Sequence, residues 1–321
     1  MYFNKNNNFF HGIMFHHFHS DSGIHTKNQG SIDKDDLYKM INFIGRDNIL
    51  DANVFFEKFK KNKLKEKDVC LTFDDAVKSQ IDIALPILED LKIKSFFFVY
   101  TSIFDGKPDN LEFFRYFRMN FFNHIDEFYN DFYQVLDKDL KKFFEISNDK
   151  IAYIKTKSPY YSIEDIKFRL VRDYFLKKSQ YEKIMFIMFD EKKFNYNEFF
   201  KKLYFQKDDL IKLDNLGHLI GLHSHNHPTS LKNLSYDEQK NEFEKCLSSI
   251  SHILNKSKNE IKYMSHPCGS YNDYTLEILK TLGIELGFKE TMTIDSNKKI
   301  NNSFLEIARQ NHAHILKSIN S

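Results

Sequence analysis

The sequence has few cysteines, no excess of either charge and no long apolar run. Its three cysteines, Cys70, Cys246 and Cys268, are widely spaced and form no CxxC pair, so we expect free thiols in a reducing compartment. Lys and Arg total 47 against 45 acidic residues, and this balance excludes the basic footprint of a nucleic-acid-binding protein. No segment reaches the roughly 18 consecutive apolar residues that a membrane-spanning helix needs.

An export signal, internal repeats and low-complexity linkers are also missing. Residues 1–10 are rich in Asn and lack the basic start, the apolar core and the cleavage site of a signal peptide. We therefore expect a cytoplasmic protein. Its 321 residues suffice for one large α/β domain or two small ones, and we predict a single domain over residues 1–321.

Short apolar strands alternate with helical segments, which is the pattern of a parallel sheet or barrel wrapped by helices. The predicted strands are residues 12–18, 69–73, 94–100, 218–222, 261–265 and 304–309. The predicted helices are residues 79–91, 206–216, 235–254 and 272–283. Ser235 and Glu238 form a capping box for the third helix, and Asn272 caps the fourth.

Residues 104–204 differ from the rest because they are aromatic and helical throughout. Apolar residues recur there at steps of three and four, which predicts one apolar stripe formed by Phe117, Phe121, Ile125, Phe128 and Phe132. The stripe packs on the barrel or among its own helices, or it forms a groove for a lipid or a partner. We predict a helical insertion between two strands of the barrel.

Two segments offer ligands for a metal ion. Asp74 and Asp75 end the second predicted strand, so one carboxylate can bind a metal while the other faces a substrate. His223 and His227 lie four residues apart where a strand runs into a loop or short helix, and a helical turn would bring both imidazoles to one side. Two imidazoles and one carboxylate make a three-ligand site for a divalent ion that leaves positions for water.

A third segment, residues 263–272, runs from a strand into a turn containing Pro267 and Gly269 and then opens a helix. Such a turn can present a backbone N–H to a developing oxyanion. Taken alone, the segment also reads as an ordinary strand-to-helix turn.

Together the three segments resemble the polysaccharide deacetylases of carbohydrate esterase family 4, which share the NodB homology domain. The first family motif, Thr-Phe-Asp-Asp, is present at residues 72–75, and the second, His-Ser/Thr-x-x-His-Pro, at residues 223–228. A Gly-His-x-x-Gly sequence at residues 217–221 precedes the second motif, as is common in the family. The resemblance covers residues 12–100 and 206–312 and does not extend to the helical insertion.

The resemblance implies an α/β fold, a distorted (β/α) barrel of six to eight strands with the 104–204 insertion within one catalytic domain. It implies that Asp74 is the general base and that Asp75, His223 and His227 bind one divalent metal ion. Zinc is the first choice for this ligand set, with cobalt, nickel or manganese open. The backbone N–H of Cys268 would stabilise the oxyanion, and Ser224 would hold the loop of the second motif.

The third motif departs from the family, since Ser-His-Pro-Cys-Gly at residues 265–269 has no arginine where many members have one. Another arginine should then orient the base, and we predict that Arg309 does so. The late Leu-x-His motif is not recognisable either. We therefore assign the general acid to His312, with His314 and His16 as alternatives.

The resemblance implies hydrolysis of an N-acyl bond, an acetyl group first of all, in an amino sugar or a sugar precursor of a surface polysaccharide. A cytoplasmic enzyme would meet a nucleotide- or lipid-linked sugar rather than finished polymer. The alternatives are another amide hydrolase on the same scaffold, such as a sugar deformylase or a ureide hydrolase, and a carbohydrate-binding pseudoenzyme. No nucleic-acid partner and no membrane span are expected.

Overall fold

The structure is a computed structural model that describes residues 10–28, 30–136, 148–157, 161–292, 301 and 303–320. The chain divides into two compact units. The first comprises residues 1–20, 30–109 and 203–321, and the second comprises residues 21–29 and 110–202. The second unit therefore takes up most of the segment predicted as an insertion and also a short piece from near the N-terminus.

The first unit contains a seven-stranded sheet whose paired strands are all parallel, in the order β6-β5-β4-β3-β2-β1-β7. Its strands are β1 (His11–Phe15), β2 (Val69–Phe73), β3 (Phe96–Val99), β4 (Leu219–Leu222), β5 (Tyr263–Ser265), β6 (Leu286–Phe288) and β7 (Arg309–Asn311). A parallel bridge joins Phe288 to Ile307, just before β7, so the two edges of the sheet nearly meet. The result is the nearly closed (β/α) barrel that the sequence predicts.

Helices of the first unit cover the barrel: α1 (Lys34–Ile44), α2 (Ala52–Lys60), α3 (Leu85–Asp90), α10 (Lys207–Asn215), α11 (Tyr236–Leu254), α12 (Asp273–Thr281) and α13 (His312–Ile319). A π-helical turn, Gln80–Ala84, leads into α3. The side chains of Asp33, Ser235 and Asn272 cap α1, α11 and α12 by accepting backbone N–H bonds. The last two caps are those predicted from the sequence.

The strands are continuous apolar runs in the sequence because both faces of the sheet are buried. All residues of β2 and β3 are buried, and aromatic rings fill the space between the sheet and α2. Phe96, for example, lies with its ring centroid 5.4 Å from those of both Tyr263 and Phe288. This packing fixes the strands whose ends carry the chemistry.

The last strand differs from its prediction over residues 304–309. Ile307 exchanges backbone hydrogen bonds with Gly287 and Lys289 and so extends the β6 edge, whereas β7 pairs with β1 and begins only at Arg309. The sequence analysis also missed β6, a strand of three residues that includes Gly287. Both errors have the same cause, because these pairings depend on contacts between distant segments.

The second unit contains α4 (Leu111–Asn120), α5 (Ile125–Val135), α6 (Asn148–Lys157), α7 (Ile163–Leu170), α8 (Lys178–Glu191) and α9 (Tyr196–Leu203), the last residue of which belongs to the first unit. The predicted apolar stripe is split between α4 and α5. Glu127 accepts hydrogen bonds from the backbone and side chain of Asn123, which stabilises the break. The stripe packs among its own helices, as one of the readings predicts: Phe117 contacts Phe189, and Phe132 contacts Phe168.

Among the described residues, no helix combines the length and the apolar character required to cross a membrane.

Candidate active site

The three predicted segments meet at one end of the barrel. They follow β2, β4 and β5, and the carboxyl ends of parallel barrel strands lie on the same face. Asp74 and Asp75 follow β2, His223 follows β4 directly, and Ser265 is the last residue of β5. The alternation of strand and helix thus brings together residues that lie up to 191 positions apart in the chain.

Asp75, His223 and His227 form a compact group of potential ligands. Oδ1 of Asp75 lies 3.1 Å from Nε2 of His223 and 3.2 Å from Nε2 of His227. One ligand atom from each residue lies within 4.8 Å of the others. Oδ1 is buried and forms no hydrogen bond of ordinary geometry with a described residue. A divalent ion satisfies such an oxygen between two imidazole nitrogens, so the residues present fit a metal.

Hydrogen bonds orient both histidine rings towards Asp75. Nδ1 of His223 lies 2.9 Å from the backbone carbonyl oxygen of Ser265, and Nδ1 of His227 lies 2.9 Å from Oδ2 of Asp109. Carbonyl and carboxylate oxygens only accept, so each Nδ1 carries the proton and each Nε2 is left as the ligand atom.

The loop between the two histidines is irregular rather than helical. Ser224 and His227 have φ values of 66° and 54°, in the left-handed region that non-glycine residues rarely occupy. The Ser224 hydroxyl accepts the backbone N–H of His227, and this contact holds the reversal of the chain. The loop, not a helical turn, brings both imidazoles to one side.

The charges in this group act on one another. Burial raises the pKa of Asp75, but the charges of His227 and His16 and the hydrogen bonds from His223 and His227 together outweigh it and hold the pKa well below its usual range. Burial in turn lowers the pKa of His227, yet the charge of Asp75 and a hydrogen bond to Asp109 raise it well above 6.5. Asp75 is therefore ionised between the two imidazoles, which is the state in which a carboxylate binds a cation.

Asp74 is bound by Arg309 in the barrel interior. Both side chains are about 1–2% exposed, and the guanidinium donates to Oδ1 at 2.8 Å and to Oδ2 at 2.7 Å. Arg309 also donates to Ser265, Thr72 and the carbonyl of Lys289. Burial raises the pKa of Asp74, but the charge and hydrogen bonds of Arg309, with smaller effects of His223 and His16, together overcome this and leave the pKa below its usual value. The contact predicted for Arg309 is present, whereas its role in turnover stays a prediction.

Cys268 lies in the turn Pro267–Gly269 after β5 and is exposed. Its φ of 50° is in the left-handed region, and its side chain lies against His227, whose pKa it helps to raise. The turn therefore borders the candidate metal ligands, as the predicted oxyanion role requires; that role stays a prediction. His266, two residues before Cys268, is buried, and its Nε2 lies 2.9 Å from the carbonyl oxygen of Leu305 rather than beside Asp75.

The structure does not bring His312 into this group. Its buried ring lies with Nδ1 3.2 Å from the carbonyl oxygen of Met14 and Nε2 2.9 Å from that of Gly30. Because both nitrogens face backbone acceptors, neither is available to a substrate. His16, one of the two alternatives, follows β1 and places Nε2 3.9 Å from Oδ2 of Asp75. Burial lowers the pKa of His16 to about 4.

Two carboxylates that the sequence analysis did not single out support the site. Asp109 holds His227, as described above, and Glu242 on α11 holds the loop between the ligands. Glu242 accepts the backbone N–H groups of His225 and Asn226 at 3.0 and 2.7 Å and the side-chain amide of Asn226. Neither residue belongs to a motif, so only the folded structure identifies them.

Comparison with known proteins agrees with this arrangement. The family described as Polysaccharide deacetylase matches residues 61–161 and 174–287, which is more than half of the chain. A search among curated proteins gave no match.

Several solved structures are similar over nearly their whole length. The Streptococcus pyogenes deacetylase PplD in complex with acetate is 17% identical, with 97% of each chain covered and a TM-score of 0.56. IcaB from Ammonifex degensii is 13% identical, with 98% of each chain covered and a TM-score of 0.55. A de-N-acetylase from Aggregatibacter actinomycetemcomitans is 14% identical, with coverage of 97% and 99% and a TM-score of 0.53. At these identities the likeness establishes the fold.

Proposed function

Because the chain belongs to the polysaccharide deacetylase family, hydrolases that act on carbon–nitrogen bonds other than peptide bonds, we propose that it removes an N-acyl group, an acetyl group first of all, from an amino sugar. We propose that the reaction depends on one divalent metal ion. The observation that carries this proposal is the Asp75, His223 and His227 group beside an Asp74 that is held by Arg309.

In this proposal Asp75, His223 and His227 hold the ion, zinc first, although cobalt, nickel or manganese also suit one carboxylate and two imidazoles. When bound, the ion supplies Lewis-acid polarisation of an acyl carbonyl and favours ionisation of a nucleophilic water. All remaining steps belong to side chains and backbone groups of this protein.

Asp74 takes the proton of the attacking water as general base. Arg309 holds both of its carboxylate oxygens, which keeps the base ionised and fixes its direction. The backbone N–H of Cys268 donates to the oxyanion as the carbonyl carbon becomes tetrahedral.

The leaving nitrogen needs a proton, and we favour His16 over His312 as its source. His16 lies beside Asp75 at the carboxyl end of β1, whereas both nitrogens of His312 are engaged by carbonyl oxygens. Because burial lowers the pKa of His16 to about 4, the ring is largely neutral near pH 7, so it must take up a proton from solvent, to which its side chain is 26% exposed, before it donates that proton to the leaving nitrogen.

We further propose a single catalytic domain that acts in the cytoplasm on a nucleotide- or lipid-linked precursor of a surface polysaccharide. The free thiols of Cys70, Cys246 and Cys268 support a reducing compartment. The second, helical unit is our candidate for the part that selects the sugar.

The test is release of acetate or formate from a panel of N-acylated sugars, free, nucleotide-linked and lipid-linked, with and without chelator. We expect acetate release that stops on chelation and returns with added zinc or cobalt. Formate release would indicate a sugar deformylase, and ammonia release from ureides would indicate a ureide hydrolase. Sugar binding without any turnover would indicate a pseudoenzyme and overturn the proposal.

Matched variants separate the two adjacent aspartates. Asp75→Ala should lose the metal. Asp74→Asn should keep it and lose turnover by on the order of 10²–10⁴-fold, the usual contribution of a general base. Full metal occupancy in Asp75→Ala, or near-normal turnover in Asp74→Asn, would contradict the assignment of that residue.

A further inference from the structure

The two histidines of the proposed metal site are held in different ways. Nδ1 of His223 faces a neutral backbone carbonyl, that of Ser265, which a strand of the barrel fixes in place. Nδ1 of His227 faces a carboxylate, that of Asp109, at 2.9 Å, and both side chains are only 7% exposed. His227 therefore has a charged hydrogen-bond acceptor at Nδ1, the carboxylate of Asp109, whereas His223 has a neutral one.

The position of His227 explains why its ring needs such a partner. His223 continues directly from β4, but His227 lies in an irregular loop at a φ of 54°. Regular backbone pairing therefore fixes the direction of the first ring and not of the second. Asp109 is anchored in turn, because its backbone carbonyl accepts the hydroxyl of Tyr204 at 2.7 Å.

From this geometry we infer that Asp109 is a positioning residue of the metal site, which orients His227 and strengthens its binding of a divalent cation. The inference rests on the proposed metal dependence. A hydrogen bond between imidazole N–H and carboxylate is stronger than one to a neutral acceptor, and it makes the opposite ring nitrogen a better donor to a metal. Loss of such a partner typically lowers metal affinity by about 10- to 100-fold.

Asp105, four residues before Asp109 in the chain, provides a matched control. Asp105 lies with Oδ2 3.9 Å from Nε2 of His225, a histidine between the two ligands, and its side chain is 57% exposed. Asp105→Asn and Asp109→Asn remove one negative charge each from carboxylates that neighbour the motif. Only Asp109 contacts a proposed ligand, so a general loss of negative charge and a specific loss of ring orientation are separable.

The experiment measures the dissociation constants of Zn²⁺ and Co²⁺ for the metal-free full-length protein, by competition with a chromophoric chelator. We expect Asp109→Ala to weaken binding by about 10- to 100-fold. Asp109→Asn should weaken it less, because the amide oxygen still accepts the Nδ1 proton, and Asp105→Asn should leave it unchanged. The visible absorption bands of bound Co²⁺ should shift in Asp109→Ala and not in Asp105→Asn.

Thermal unfolding of each metal-free variant shows whether it is folded. If Asp109→Ala does not fold, the comparison is made with Asp109→Asn alone. Wild-type affinity and an unshifted Co²⁺ spectrum in both Asp109 variants would overturn the inference and leave the metal site standing. An equal loss of metal affinity in Asp105→Asn would mean that overall negative charge, and not the orientation of His227, causes the effect, and this result would also overturn the inference. A wild-type protein that binds neither ion would overturn the proposed metal dependence and this inference together.

Discussion

Replacement of Arg309 by methionine should destabilise the protein in a way that depends on pH. The side chain is 1% exposed and makes five hydrogen bonds, two of them to Asp74. Methionine fills similar space but leaves the Asp74 carboxylate buried without its countercharge. Removal of one partner of a buried ion pair costs about 3–5 kcal/mol, a large part of the 5–15 kcal/mol by which proteins are typically stable.

The pH dependence follows from the pKa of Asp74. In the wild type the pKa is lowered from 3.8, so the pair contributes stability above that pH and loses it as the pH falls through the folded value. Without Arg309, burial is opposed only by the weaker effects of His223 and His16, and the pKa of Asp74 rises. The unfolded chain then releases this proton more readily, so the variant loses stability as the pH rises. The difference between wild type and Arg309→Met should therefore be larger at pH 8 than at pH 5.

The assay is equilibrium unfolding in urea at both pH values for the wild type, Arg309→Met, Asp74→Asn and the double variant. Asp74→Asn combined with Arg309→Met should recover part of the stability lost in Arg309→Met, because no buried charge remains unpaired. Metal content should persist in Arg309→Met while turnover falls. A loss below about 1 kcal/mol, or a double variant no more stable than Arg309→Met, would refute the reasoning.

Three further predictions concern residues around the site. Glu242→Ala removes the charged acceptor of the partly buried N–H bonds of residues 225 and 226 and should lower the free energy of unfolding by about 1–3 kcal/mol, with Glu242→Gln nearer to the wild type in urea unfolding. Burial lowers the pKa of His218 from 6.5 to about 4, so up to about 3 kcal/mol of stability should be lost between pH 6.5 and 4; an unchanged loss in His218→Asn would contradict this. In Gly221→Ala, the new Cβ would lie 2.6 Å from a carbonyl oxygen of β5, so its melting temperature should fall, and a wild-type value would mean that the strands separate without strain.

The meeting of Asp74, Asp75 and His223 was predictable because each follows a strand with a clear apolar pattern, and that of His227 because it lies four residues after His223. Asp74 and Asp75 follow β2, and His223 follows β4, so parallel packing alone predicts their meeting at one face. Arg309 was found by a different argument, since a missing arginine in the third motif leaves a role to fill.

Other features depend on distant contacts and were beyond reach of local patterns. Asp109 meets His227 across 118 positions in the chain, and no motif marks it. His312 follows a strand, as a catalytic residue is expected to, but a carbonyl from residue 30 occupies one of its nitrogens. The association of residues 21–29 with the helical unit likewise depends on tertiary packing rather than on composition.

The pairing of Asp74 with Arg309 has a consequence for synthesis of the chain. The two residues are 235 positions apart, so at 5–20 residues per second the ribosome adds the arginine roughly 10 to 50 s after the aspartate. Until then the barrel has neither β7 nor a countercharge for its central carboxylate, and closing around that carboxylate is unfavourable. The nascent protein should therefore remain inactive and susceptible to proteases until its last strand emerges, when closure of the barrel and completion of the catalytic centre coincide.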